Sequence, residues 1–85
     1  MNASDIIKHE LIGLEAEITD SKNKSNVGIK GTIIDETKNT LTIEDRGKRK
    51  RLFKNNIILK IEINSQAVRI DGKLLSGRPK ERIKN

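Results

Sequence analysis

The sequence predicts a mainly β fold: a small, twisted, antiparallel barrel of five to six short strands, with short helices at the two ends. Three observations predict it. Fourteen of the 85 residues are Ile, and β-branched side chains suit a pleated surface better than a helix. Apolar and polar residues alternate with a period of two through much of the chain, as a sheet with one buried face requires. Turn residues interrupt those runs at short intervals, at Asp45-Arg46-Gly47, Asn55-Asn56 and Asp71-Gly72. Strands joined so tightly close most readily into a barrel, which leaves few exposed edges.

The chain is long enough for one domain, over 1–85, and divides into a helix (1–12), a barrel (13–75) and a basic segment (76–85). Ser4 is a suitable N-cap with Asp5 in the first turn, and Ile6, Ile7 and Leu11 keep helical spacing up to Gly13. The stripe of Ile6, Ile7, Leu11 and Ile12 admits two roles, capping the barrel or docking on a partner. Residues 14–19 alternate as a first strand, with Leu14, Ala16 and Ile18 on one face. A polar loop over 20–26 follows. Ile29, Gly31, Ile33 and Asp35 then share one parity, and Leu41 and Ile43 continue the apolar face after a turn. Gly28 and Gly31 permit a bulge or bend. Asp35 can accept local backbone N–H groups, and Asn39 suits a left-handed turn position.

Strand four is expected over 50–53. Strand five spans 57–63, with Ile57, Leu59, Ile61 and Ile63 inward and Lys60 and Glu62 outward. Residues 67–70, Asp71-Gly72 and 73–75 read as a closing hairpin. Pro79 suits the first turn of a terminal helix, anchored by Ile83.

Composition excludes several function classes. The chain has no Cys, so neither disulfides nor thiolate metal sites exist. His9 is the single imidazole, and it has no second His or carboxylate cluster at ligand spacing, so it is read as packing locally rather than as a catalyst or metal ligand. No Gly-rich phosphate cradle or nucleophile motif is present. The longest aliphatic run is Ile57-Ile58-Leu59, too short to span a membrane as a helix, and no secretory leader is evident; a soluble, cytoplasmic protein is expected. Phe53 is the only aromatic residue, so the core must be Ile, Leu and Val, and Phe53 itself is assigned to that core.

Charge is unevenly placed. Residues 1–20 carry one Lys against five acids, whereas residues 46–85 carry thirteen basic residues against three acids. An acidic beginning and a basic second half suggest faces with different partners. The run from Arg46 to Lys54 holds six cations and no acid. Arg46, Lys48, Arg49, Lys50 and Arg51 are the candidate phosphate contacts, joined by Lys30 and, in the tail, by Arg78 and Arg82. Arg grips phosphate bidentately and Lys acts as a point charge. The competing readings are an edge strand guarded by charge against aggregation and a solvated terminus. With Phe53 in the core, base stacking is not expected, so recognition would be of backbone and shape.

Asp35 four residues before Asn39, bracketing a hairpin turn, resembles the signature of Sm-like RNA-binding barrels. His9-Glu10-Leu11-Ile12-Gly13-Leu14, the block from Val27 to Leu41, and Arg78-Pro79 with Arg82-Ile83-Lys84 resemble, in that order and spacing, protein component 1 of archaeal ribonuclease P. The similarity runs from about Ile6 to Lys84. The chain departs from the family pattern in lacking a second aromatic near Ile58 and in placing Lys80 after the Arg-Pro pair. The resemblance implies a non-catalytic RNA-binding subunit of an RNA-based endonuclease that removes 5′ leaders from precursor tRNA. It implies no cofactor on the protein, Mg²⁺ on the RNA subunit, and contacts from the terminal segments and the edge of the second strand, in the block from Val27, to a zinc-ribbon subunit. Two alternatives stand beside it: an Sm-type, ring-forming RNA chaperone, and a protein-interaction scaffold without RNA contact. A stand-alone nuclease is the weakest reading.

Overall fold

Alternation becomes strand wherever the chain can reverse, and the computed structural model, which describes residues 10–77, has six strands among them. They are β1 (Glu15–Ser21), β2 (Lys30–Glu36), β3 (Thr40–Asp45), β4 (Lys48–Phe53), β5 (Ile57–Ile63) and β6 (Gln66–Asp71). Single 3-10 turns occupy Lys24–Asn26, Lys54–Asn56 and Gly72–Leu75. Every pairing is antiparallel, in the order β4-β3-β2-β1-β5-β6. This is the small all-β, barrel-like fold the sequence predicts, with its ladder open between β4 and β6.

The core is aliphatic. Ala16, Ile18, Ile33, Leu41, Ile43, Leu52, Ile57, Leu59, Ile61, Ile63 and Ile70 line it from all six strands, and Leu11 and Leu75 close it. β5 reproduces the expected bounds and alternation, its four odd-numbered side chains buried and Lys60 and Glu62 exposed. Curvature comes from register breaks in β1 between Ile18 and Asp20 and in β2 between Ile33 and Asp35. An extra residue on one strand kinks it and raises the local twist. The bends therefore sit away from Gly28 and Gly31, where the sequence placed them. Gly31 answers a different need: a β-carbon there would stand 2.2 Å from the Glu44 carbonyl oxygen, so β3 crosses β2 at a distance only glycine allows.

Other expectations are corrected. Asp35 does accept the Glu36 N–H at 2.9 Å. Asn39 is not left-handed; among the described residues the non-glycine positions with positive φ are Arg46, Asn64 and Ser65. Asn39 instead offers its carbonyl to the Lys54 N–H at 2.8 Å. Residues 73–75 form no strand. The Asp71 carboxylate accepts the Lys73 N–H at 3.0 Å and starts a 3-10 turn, so β6 hairpins back onto β5 through Asn64-Ser65. Gly72 seats that turn on the chain after β4, since a β-carbon there would meet the Lys54 carbonyl at 2.1 Å. Of the expected N-terminal helix, residues 10–12 are an irregular stretch leading into a turn, while 1–9 lie outside the described residues, as does the expected helix after Pro79.

Candidate nucleic-acid interface

β3 and β4 are joined by Arg46-Gly47, whose φ values of 54° and 82° give the tight reversal that keeps the strands in register. The expected strand over 50–53 is thereby two residues longer, from Lys48. Cross-strand pairing settles where each cation points. Lys50 lies opposite Ile43 and Leu52 opposite Leu41, so Lys48, Lys50 and Leu52 are on the core side; Arg49, Arg51 and Phe53 are on the outer side. The run therefore divides between two faces of one edge strand.

On the outer face, Arg49 donates to the Glu44 carboxylate at 3.0 Å. Arg46 reaches Asp45 only at 4.0 Å and is 92% exposed. Arg51 is exposed opposite Thr42. On the core side, Lys48 and Lys50 extend past the end of the hydrophobic cluster. With Lys30 they rim a groove of about 400 Å³ over Ile29 and Ile43. Lys30 also faces β1 at Glu17, so carboxylates temper its charge. Lys24 is held by Asp20 at 3.0 Å, and that lysine, with the Ser21 N–H, holds the Asp20 carboxyl below the usual carboxylate range.

Two neighbours reverse what the sequence suggested. Phe53, assigned to the core, is 60% exposed on the outer face. Lys54, counted with the surface cations, is 1% exposed. Its ammonium donates to Glu36 at 2.7 Å and to the carbonyls of Thr37, Lys38 and Gly77 at 2.7, 3.2 and 2.9 Å. A strand cannot send Leu52, Phe53 and Lys54 the same way, and Leu52 opposite Leu41 fixes the choice. That rule was available in the sequence; the burial of a lysine was not.

Leu11 is fully buried in the core, while Ile12 is exposed. Ile6, Ile7, His9, Arg78 and Arg82 lie outside the described residues. Among the described residues, no group of three or more His, Cys, Asp or Glu could hold a metal ion, and no helix is long and apolar enough to cross a membrane.

The model of the family described as ribonuclease P/MRP, subunit p29, matches residues 4–85. The chain belongs to the p29 family. Ribonuclease P protein component 1 of Methanocaldococcus jannaschii is 46% identical over 81 residues, covering 94% of this chain and 85% of that protein. The protein of the same name from Thermofilum pendens is 48% identical over 82 residues, covering 94% and 87%. A solved structure, of Mth11, described as a homologue of the human RNase P protein Rpp29, superposes with a TM-score of 0.63 at 42% identity. It covers 88% of this chain and 99% of its own. The open barrel thus has a counterpart in the p29 family.

Proposed function

We propose that this chain is a non-catalytic, RNA-binding protein subunit of ribonuclease P that assists 5′ leader removal from precursor tRNA. The observation that carries the reading is one hairpin: a p29-family chain presents Arg46 exposed at the hairpin tip and Lys48, Arg49, Lys50 and Arg51 exposed on an edge strand that carries no acid. Folded RNA brings phosphates close together, and their repulsion opposes compaction. Protein cations that follow the backbone offset that repulsion, so the RNA folds and holds its substrate at lower Mg²⁺. The hydrolytic chemistry then belongs to the RNA and its Mg²⁺. Arg78 and Arg82 would extend the same contact from the tail. A zinc-ribbon subunit of the complex would dock on the N-terminal stripe through Ile6, Ile7 and Ile12, with Leu11 serving the core. The complex would act in the cytoplasm.

Binding to ribonuclease P RNA across a salt series tests this. If about five phosphates are neutralised along unpaired RNA, the log–log slope is roughly −3.5, and affinity falls about a hundredfold between 50 and 200 mM salt. Replacing Arg46, Lys48, Arg49, Lys50 and Arg51 with Gln is expected to abolish that binding and flatten the slope. Unchanged affinity in the variant would refute the assignment.

A further inference from the structure

The chain is inside-out at one dipeptide. Its only aromatic side chain stands in solvent at position 53, and the next residue, a lysine, is buried. Leaving a Phe 60% exposed forgoes part of the about 1.5–3 kcal/mol that full burial contributes, and burying a lysine is unfavourable unless every proton finds an acceptor. Local rules broken together, with the compensation built nearby, are what functional positions look like.

We infer that Phe53 is a stacking platform for an unpaired RNA base, with Arg51 beside it to take the adjoining phosphate. Three observations support this. First, the platform is held from both sides. Leu52 is locked into the core against Leu41, and the Lys54 N–H is bonded to the Asn39 carbonyl while its ammonium is bonded to Glu36 and three carbonyls. The backbone at Phe53 is therefore ordered before any ligand arrives, so little conformational entropy is lost on binding.

Second, the ring has space. β4 is the outermost strand of the sheet. Across it on β3 lies Thr40, a small side chain that is itself buried and bonded to Thr37 at 2.6 Å. Third, the setting is cationic. On the same face, Arg51 and then Arg49 follow at two-residue steps, each about 6.6–6.8 Å along the strand. Among the described residues Arg51 takes part in none of the ion pairs, whereas Arg49 is shared with Glu44. An exposed apolar patch of several hundred Å² would mark a protein docking surface. The outer face of β4 offers one ring beside two guanidinium groups, those of Arg51 and Arg49. An aromatic ring beside guanidinium groups fits nucleic acid, where every base has a π-face and every nucleotide a phosphate.

The inference rests on the RNA-binding reading, and the test separates the two. The probes are a 12-nucleotide unpaired RNA and a fully paired, blunt-ended RNA duplex of equal total charge, titrated against the full chain and Phe53→Ala, Phe53→Leu and Phe53→Trp variants. Loss of one stacked base is expected to weaken Phe53→Ala binding to the unpaired RNA by about 5- to 150-fold. Duplex binding should stay within about twofold and the salt slope should not move, because no phosphate contact is lost. Phe53→Leu should behave like Ala, since it keeps apolar bulk without a π-face; Phe-like binding by Leu would mean a general hydrophobic contact and overturn stacking. The chain contains no Trp, so the Trp variant should bind like the parent and report through quenched emission on the unpaired RNA alone. Equal affinity of parent and Ala variant for unpaired RNA, or equal losses on both RNAs, overturns the stacking inference and leaves RNA binding intact. Failure of the parent to bind either RNA overturns both.

Discussion

At the scale of single residues, Lys54 shapes its surroundings more than any surface cation does. Its ammonium ties the β2–β3 turn, through Glu36, Thr37 and Lys38, to Gly77. A buried ion pair contributes little against an apolar substitute, but removing one member strands the other charge. Lys54→Met is therefore expected to destabilise the protein by about 3–5 kcal/mol, read as the shift in a urea unfolding curve. Adding Glu36→Met should recover only part of this, because the Thr37, Lys38 and Gly77 carbonyls still lose their donor. A single variant within about 1 kcal/mol of the parent would show that Lys54 is not the pin described. None of this was legible in the sequence, where Lys54 ended a cationic run and composition gave no reason to separate it from Arg51. Hydrophobicity alone assigns a lone aromatic to the core, whereas the strand period, with Leu52 inward opposite Leu41, points Phe53 outward.

At the scale of elements, strands were legible and turns were less so. β5 was readable to the residue because its alternation is uninterrupted. The end of β6 was not: Asp71-Gly72 has the composition of a hairpin turn, yet Asp71 caps a 3-10 turn and Gly72 fits against the Lys54 carbonyl, a contact far off in sequence. The actual β5–β6 reversal uses Asn64-Ser65, both with positive φ, 52° and 66°. Asn tolerates that conformation; Ser adopts it at a penalty, and glycine does not. Ser65→Gly is accordingly expected to stabilise the protein by about 0.5–1 kcal/mol, after the greater freedom of glycine in the unfolded chain is deducted. A urea midpoint that falls would mean that the turn gains more from the serine side chain than from backbone relief. The β3–β4 turn has Gly at the second position already and Arg46 at the first, so a cation is held at the hairpin tip at some conformational expense.

At the scale of the molecule, the open ladder decides between assembly and RNA contact. A ring of copies would have to pair the β4 edge of one with the β6 edge of the next. β4 offers Lys48, Arg49, Lys50 and Arg51, while β6 carries one Arg and one Asp and supplies no compensating charge. Each added copy brings a net charge of +6, so repulsion grows with every subunit. Charge on an edge strand is also how monomeric sheets avoid pairing with themselves. Light scattering is expected to give a mass near the 9.6 kDa of one chain at low salt. At about 1 M salt, where charges are screened beyond about 3 Å, the mass should stay the same, since Val68 and Ile70 of β6 face the core and its outward residues, Ala67, Arg69 and Asp71, form no apolar face to hold a second edge. A stable hexamer or heptamer at either salt would sink this prediction and revive the ring. A monomer leaves both faces of β4, the groove rimmed by Lys30, Lys48 and Lys50 on one side and Arg51 with Phe53 on the other, accessible to the RNA proposed above.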